Sequence, residues 1–314
     1  TSAGHGCSPR VGWSARLRPE RPPDRIQERG LRHVPGDDDE HAPQCDLFDV
    51  HVSAGGAAGL SVIGVATWHE GRCGSRVLGA LLNQHSQIQA ANEIFSRYMP
   101  RRWGERPVPA IEQVLHEAVQ ATSKPILQIE IKSLRAQNRS LYPELTLDHW
   151  FDHLLAHGFR RHLTLHRRNG LRRLVSHLMA QRSGVFVEAA AEPLRKRPPL
   201  QVNPLAIREG AETHDLVHWL DLYASTHRQL VKALQRWSAS RGLPGPLQLL
   251  YEESLEADPR VAYRQLCAWL ELEAEPVTLL HRRLNPEPLP QLIANWKEIC
   301  GLLEPTPHAW MLVA

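Results

Sequence analysis

The feature that most constrains the possible fold of this chain is a short apolar segment followed by a glycine-containing loop and a helix. Residues 61–67 read Ser-Val-Ile-Gly-Val-Ala-Thr, residues 68–76 form the loop, and an apolar helix face follows. In a strand–loop–helix unit, free N–H groups at the helix start point at an anion and the helix dipole favours negative charge. Gly74 permits close backbone approach, and Arg72 supplies a full positive charge. We therefore predict an anion-binding loop here.

Short β-branched runs alternate with helical segments along the rest of the chain. The strand candidates are residues 60–66, 126–131, 162–166 and 247–251. Apolar residues recur at helical spacing over residues 111–118 and 216–237, and Gly158 and Asp258-Pro259 are typical helix ends and starts. This alternation predicts an α/β fold with a central parallel sheet flanked by helices.

Composition narrows the function classes. The formal net charge is only +3, from 37 basic and 34 acidic residues, so no chain-wide basic field drives nonspecific nucleic-acid binding. Five cysteines without CxxC spacing argue against a disulfide framework and a zinc knuckle, and they favour a reducing cytoplasm. Residues 53–68 are the longest weakly polar stretch and are too short to span a bilayer, and residues 1–21 lack the apolar core of a secretory signal.

The first part of the sequence differs in composition from the rest. Residues 1–56 are rich in Pro, Gly, Arg and Asp and show no apolar periodicity, so they predict a disordered tail before a single domain over residues 57–314. His5, Cys7, His41 and Cys45 lie within this tail, but their spacing matches no metal-ligand pattern.

The loop lacks the GxxxxGK[ST] pattern, because neither its lysine nor its magnesium-binding hydroxyl is in place. This disfavours an ordinary nucleoside triphosphatase or kinase. A plain tight turn remains the alternative to a phosphate-binding loop.

Two segments resemble the nucleotide-binding motifs of sulfotransferases that use 3′-phosphoadenosine 5′-phosphosulfate (PAPS). Residues 72–85 are similar to the 5′-phosphosulfate loop and its helix, and residues 91–95, Ala-Asn-Glu-Ile-Phe, resemble the acidic motif that follows it in bacterial and Golgi-type members. Three positions depart from the family: Gly71 replaces a common Pro, Cys73 a Ser or Thr, and Arg76 a hydroxyl residue. The resemblance implies donor contacts from residues Arg72, Cys73, Gly74, Ser75 and Arg76.

The second segment resembles the 3′-phosphate motif. Residues 162–166 form a strand candidate, and Arg168 precedes Ser176 by the family's eight residues. A guanidinium and a hydroxyl are suited to phosphate oxygens. The alternative is a basic patch that contacts RNA, although no aromatic stacking platform interrupts its charges. Tyr251, in a third and looser motif, is expected near the adenine or packs at a strand end.

The resemblance covers residues 60–312 and implies a P-loop NTPase-like three-layer fold and transfer of a sulfuryl group, without a metal, to an acceptor hydroxyl. Glu93 is the expected base, with His69 and His85 as rivals, and Arg72 stabilises the leaving 5′-phosphate. Lys132 is a further cleft candidate, and Arg282 or Arg283 is a candidate for contact with the donor phosphates. A glycan, lipid or other small molecule is the expected acceptor, and residues 186–212 are its expected loop or lid. A P-loop-like kinase and a noncatalytic polyanion-binding or RNA-binding module stay open as alternatives.

The tail is expected to be dispensable, because residues 1–56 carry too little apolar surface to offset the entropy of ordering them. Deletion of residues 1–54 should leave the melting temperature and the affinity for adenosine 3′,5′-bisphosphate unchanged. Thermal denaturation of the two chains checks this. A fall of several degrees would show that the segment packs on the domain.

Overall fold

The structure is a computed structural model that describes residues 62–313 except 101–103, 105, 193–196 and 211. The predicted tail lies outside the described residues. Five parallel strands form the main sheet in the order β2-β3-β1-β4-β7. Their bounds are β1 Ile63–His69, β2 Ile88–Ala90, β3 Ile126–Lys132, β4 Phe159–His166 and β7 Leu247–Leu250. A separate antiparallel hairpin pairs β5 Ile207–Glu209 with β6 Glu212–His214.

Nine α-helices connect these strands in the described part of the chain. They are α1 Ser75–Leu82, α2 Ile111–Gln120, α3 Leu147–Ala156, α4 Gly170–Ser183, α5 Leu216–Ser240, α6 Tyr251–Ser254, α7 Arg260–Trp269, α8 Leu289–Leu292 and α9 Trp296–Leu303. Short 3₁₀ helices span Ile94–Tyr98, Asn138–Leu141 and Ala309–Leu312.

Side-chain alternation along the strands divides the core into two layers. In β1, Val65 packs with α1 and α7, whereas Ala66 and Trp68 pack with α2, α3 and the end of α5. Successive side chains of a strand point to opposite faces, so a sheet buried on both faces needs apolar residues at nearly every position. The result is a three-layer α/β fold with a central parallel sheet between helices.

A third apolar cluster lies beside these layers. It joins α4 and the start of α5 to α8, α9 and the final 3₁₀ turn, with Trp219 and Tyr223 among its fully buried side chains. The Trp219 indole donates to the carbonyl of Ile207 at 2.9 Å, which ties the β5–β6 hairpin to α5. This cluster therefore positions the hairpin and the start of α4 relative to the sheet.

The structure confirms the predicted fold class and the four strand candidates, with ends that differ by a few residues. Strand β1 continues to His69, and β4 begins at Phe159. The three-residue β2 and the hairpin were not predicted, because strands this short carry little periodicity. None of the described helices is long and apolar enough to cross a bilayer.

Candidate functional site

A large concave surface of the described residues lies where the strand order of the sheet reverses. Strand β1 has β3 on one side and β4 on the other, so the connections leave its carboxyl end in opposite directions. Ligands of open α/β sheets bind in the crevice at this point. A cavity of about 860 Å³ occupies it, lined by the loop after β1, the ends of β3 and β4, α4, the hairpin and residues 281–285.

The loop after β1 has the backbone that an anion cradle requires. Gly71, Arg72 and Gly74 have φ values of 85°, 59° and 87°, a region that favours glycine. At Gly74, which caps α1, an added Cβ would lie 2.9 Å from Leu255. The first amides of α1 have no acceptor within the helix, and Ser75 and Arg76 line the cavity. The predicted loop therefore opens directly into the cavity.

Arg72 joins the loop to α4. Its Nε and Nη2 donate to the Ser176 hydroxyl oxygen at 3.2 and 3.1 Å, and its Nη1 donates to the Phe186 carbonyl at 2.9 Å. Burial and the neighbouring Arg167 lower the pKa of Arg72 to about 10, so the guanidinium remains charged at neutral pH. The structure thus brings together the predicted residues Arg72 and Ser176.

A buried ion pair between α4 and the hairpin also contacts the backbone of this loop. Arg173 is 1% exposed and forms a two-pronged pair with Glu209 of the hairpin, at 3.0 and 2.7 Å. The same guanidinium donates to the carbonyl of Gly71 at 3.1 Å and to that of Glu70. Burial alone would raise the pKa of Glu209, but Arg173 holds it at about 2. One charged side chain therefore fixes both the loop after β1 and the hairpin.

The two arginines at the end of β4 point in different directions. The side chain of Arg168 is half exposed and pairs with Glu253 at 3.2 Å, and it does not line the cavity. Arg167 is 6% exposed, lies 4.3 Å above the centre of the Tyr251 ring, and lines the cavity together with that ring. Its Nε has no hydrogen-bond partner among the described residues. The assignment of Arg168 to a phosphate stays a prediction that this geometry does not favour.

Glu93 lies in the cavity opposite a lysine. Its Oε2 is 2.8 Å from the Lys132 ammonium and accepts a hydrogen bond from Ser96. Burial favours the neutral acid, but Lys132 outweighs it and the pKa of Glu93 falls to about 2. The carboxylate is ionised throughout the neutral range and can accept a proton only weakly while Lys132 stays in place. The sequence had named both residues as cleft candidates.

Three other predicted residues, His69, His85 and Cys73, are buried and contact other groups of the protein. His69 is buried, its Nδ1 accepts from the Gly71 amide at 3.0 Å, and its Nε2 lies 3.2 Å from Glu130. His85 is buried against the carbonyl of Glu273 and does not line the cavity. Cys73 is fully buried in the core layer below α1. His69 lines the cavity with its two ring nitrogens next to the Gly71 amide and Glu130, whereas His85 lies outside the cavity.

Two clusters contain the residue types that bind metals. His166 and His227 each face one oxygen of Glu70, at 3.4 and 3.9 Å, but their rings stack at 3.9 Å with planes 10° apart. Lone pairs lie in the ring plane, so two stacked rings cannot direct them at one ion. The second cluster, His69, Glu93 and Glu130, is occupied by the ion pairs and hydrogen bonds already given. Neither arrangement favours a metal.

Sequence reasoning missed three groups of the site. Arg167 is adjacent to the residue it named, and the choice between them depends on where Glu252 and Glu253 hold the β4 end. Arg173 and Glu209 are far apart in sequence and give no local signal. His177 lines the cavity with an Nε2 that has no partner among the described residues, and burial lowers its pKa to about 4. Arg282 and Arg283 also line the cavity.

No family model matches the chain, and no curated protein matches it. Among solved structures, it is similar to a sulfotransferase from Alicyclobacillus acidocaldarius, with 14% sequence identity and a TM-score of 0.42, over 80% of this chain and 94% of that chain.

The Arg173–Glu209 pair can be tested by neutralising one partner. Glu209→Gln keeps the side-chain shape but leaves the buried Arg173 charge uncompensated, so we expect a loss of about 3–5 kcal/mol in the free energy of unfolding. The control is Asp148→Asn, which removes an exposed pair with Arg236 and should cost about 0–1 kcal/mol. Urea denaturation measures both, and equal small losses would show that the pair does not hold the loop.

Proposed function

We propose that the chain is a sulfotransferase that uses PAPS as donor and a hydroxyl group as acceptor. The observation that carries this is the convergence of Arg72, Ser176 and Arg167 at one cavity, from the β1 loop and the two sides of the β4–α4 connection. These groups suit a nucleotide with two separate phosphate groups. The resemblance of the loop and of the β4–α4 segment to the two donor motifs supports the same reading.

The donor is proposed to lie across the ends of β1 and β4. Its 5′-phosphosulfate would contact Arg72 and the start of α1 at Gly74, Ser75 and Arg76, with Cys73 contributing backbone only. Its 3′-phosphate would contact Ser176 and Arg167. Tyr251, whose ring lies below Arg167, would face the adenine. Guanidinium groups and helix-start amides bind phosphate without a metal.

In the proposed transfer, one bond to sulfur forms while another breaks, and one proton leaves the acceptor. The acceptor oxygen forms a bond to sulfur while the bond from sulfur to the 5′-phosphate oxygen breaks, and the electron pair of that bond leaves with adenosine 3′,5′-bisphosphate. Arg72 and the loop amides stabilise the charge that grows on the leaving phosphate. Glu93 takes the acceptor proton, which requires that Lys132 turns from Glu93 toward the phosphosulfate and so raises the pKa of the carboxylate.

The donor site is tested by comparing two adjacent arginines. Arg167→Ala should weaken binding of adenosine 3′,5′-bisphosphate by about 1.5–3 kcal/mol, the scale of a lost charged hydrogen bond. Arg168→Ala should change it less, because that side chain pairs with Glu253 outside the cavity. Isothermal titration calorimetry without magnesium measures both affinities.

The same titration separates the alternatives. Tight binding of ATP with magnesium, and none of the bisphosphate, would favour a kinase instead. Steeply salt-dependent binding to RNA by the arginine cluster, without bisphosphate binding, would favour a noncatalytic module. Equal losses in Arg167→Ala and Arg168→Ala would place the 3′-phosphate between the two side chains.

The proton acceptor is tested by Glu93→Gln, which keeps the shape of the side chain and removes its basicity. Single-turnover transfer from radiolabelled PAPS to a panel of glycan and lipid hydroxyls should fall by about 10²- to 10⁴-fold, with bisphosphate binding preserved. His177→Gln is the matched control, because it also removes a titratable cavity group. Transfer within a few-fold of wild type in Glu93→Gln, with His177→Gln inactive, would assign the base to the histidine.

A further inference from the structure

A second cavity of about 790 Å³ lies beside the first one. Its walls come from the segment after β3, the start of α3, Glu212 of the hairpin, and Ala233 and Arg236 of α5. Polar side chains such as Ser140 and Thr146 alternate there with apolar surface from Pro143, Leu145 and Leu147. Each of the two cavities has the size of a small-molecule site.

One small residue is common to the walls of the two cavities. Ala136 lines both of them. Its neighbours divide between the two sides: Gln137 and Asn138 face the first cavity, and Arg135 and Arg139 face the second. Asn138 accepts from the Lys132 amide at 2.7 Å, so this segment is fixed directly to the end of β3. A ligand that passes Ala136 would extend from the cavity of Glu93 and Lys132 into the second one.

Two arginines of the second cavity have no ion-pair partner among the described residues. Arg236 is balanced by both oxygens of Asp148, at 3.1 Å each, and Glu212 lies 3.6 Å from His214. Arg135 and Arg139 form no ion pair within 4.0 Å among the described residues, although the exposed Glu144 shares the cavity.

Arg139 has unused hydrogen-bonding capacity as well. Its Nε is buried without a hydrogen-bond partner in the described part of the chain, and its Nη1 donates a long hydrogen bond of 3.4 Å to the Ser133 carbonyl. Burial, followed by the charge of Arg135, lowers the pKa of Arg139. A buried guanidinium nitrogen without a partner carries a desolvation cost that a bound anion would remove.

We propose that the second cavity binds the anionic part of an extended acceptor, which makes the substrate class an oligosaccharide that carries an acidic group. This rests on the proposed sulfuryl transfer. The accepting hydroxyl lies at Glu93 in the first cavity, the chain of sugars passes Ala136, and a carboxylate or sulfate on a remote sugar pairs with Arg135 and Arg139. Sugars match the walls, because their hydroxyls suit Ser140 and Thr146 and their apolar ring faces suit the leucines and proline.

The test uses the full chain saturated with adenosine 3′,5′-bisphosphate and two tetrasaccharides of equal length. A hyaluronan tetrasaccharide carries carboxylates, and chitotetraose is neutral. Calorimetry should show at least fivefold tighter binding of the hyaluronan fragment to wild type. Arg135→Gln and Arg139→Gln should each remove most of this preference, whereas Arg236→Gln, on α5 with its charge already balanced by Asp148, should retain it. Ala136→Phe should weaken both tetrasaccharides by narrowing the passage.

Each result decides the proposal. Equal binding of the two tetrasaccharides, no binding of either, or a preference that survives both Arg135→Gln and Arg139→Gln would overturn it. If free glucuronate bound as tightly as the tetrasaccharide, the site would recognise only an anion. The proposal of an extended oligosaccharide acceptor would then be wrong. Failure of the proposed function is seen separately, because the first titration with the bisphosphate would then show no binding.

Discussion

The ion pair between Arg173 and Glu209 is the interaction on which the site depends. A buried arginine is tolerated only when its charge and its five N–H groups are satisfied. Here Glu209 supplies the charge, and the carbonyls of Glu70 and Gly71 supply further acceptors. The guanidinium also lies 3.9 Å from the centre of the Tyr223 ring on α5. The loop, the hairpin and two helices therefore share one set of contacts.

Holding the loop in this way has an electrostatic effect on the cavity. The charge of Arg173 is neutralised by Glu209. Arg173 is therefore not available to pair with a ligand in the cavity. Arg72 and Arg167 keep their charges facing the cavity, and burial together with their mutual repulsion lowers the pKa of Arg72. A bound polyanion would relieve both penalties at once. These charges support the proposal that the cavity binds an anionic donor.

More of the fold than of the site could be predicted from the sequence. Strands β1, β3, β4 and β7 are short segments rich in apolar residues, and their alternation with segments of helical spacing predicts a parallel sheet. The Arg72 loop and Ser176 were also predictable, because each lies within a local motif. Which of Arg167 and Arg168 faces the cavity was not predictable, since it depends on the positions of Glu252 and Glu253 on a distant segment. The Arg173–Glu209 contact and the second cavity are likewise products of packing between remote segments, which no local spacing records.

The strand order has a consequence for how the chain folds. The central strand pairs Ile63 with Ile126 on one side and Val65 with Arg161 on the other, so its partners lie far away along the sequence. Loops of this length must close before any of these contacts forms, and proteins dominated by such distant pairings fold slowly. The β5–β6 hairpin and Glu209 come later still along the chain. During synthesis the central strand is therefore made before its partner strands, and the loop after β1 becomes rigid only after Arg173 and Glu209 have been synthesised.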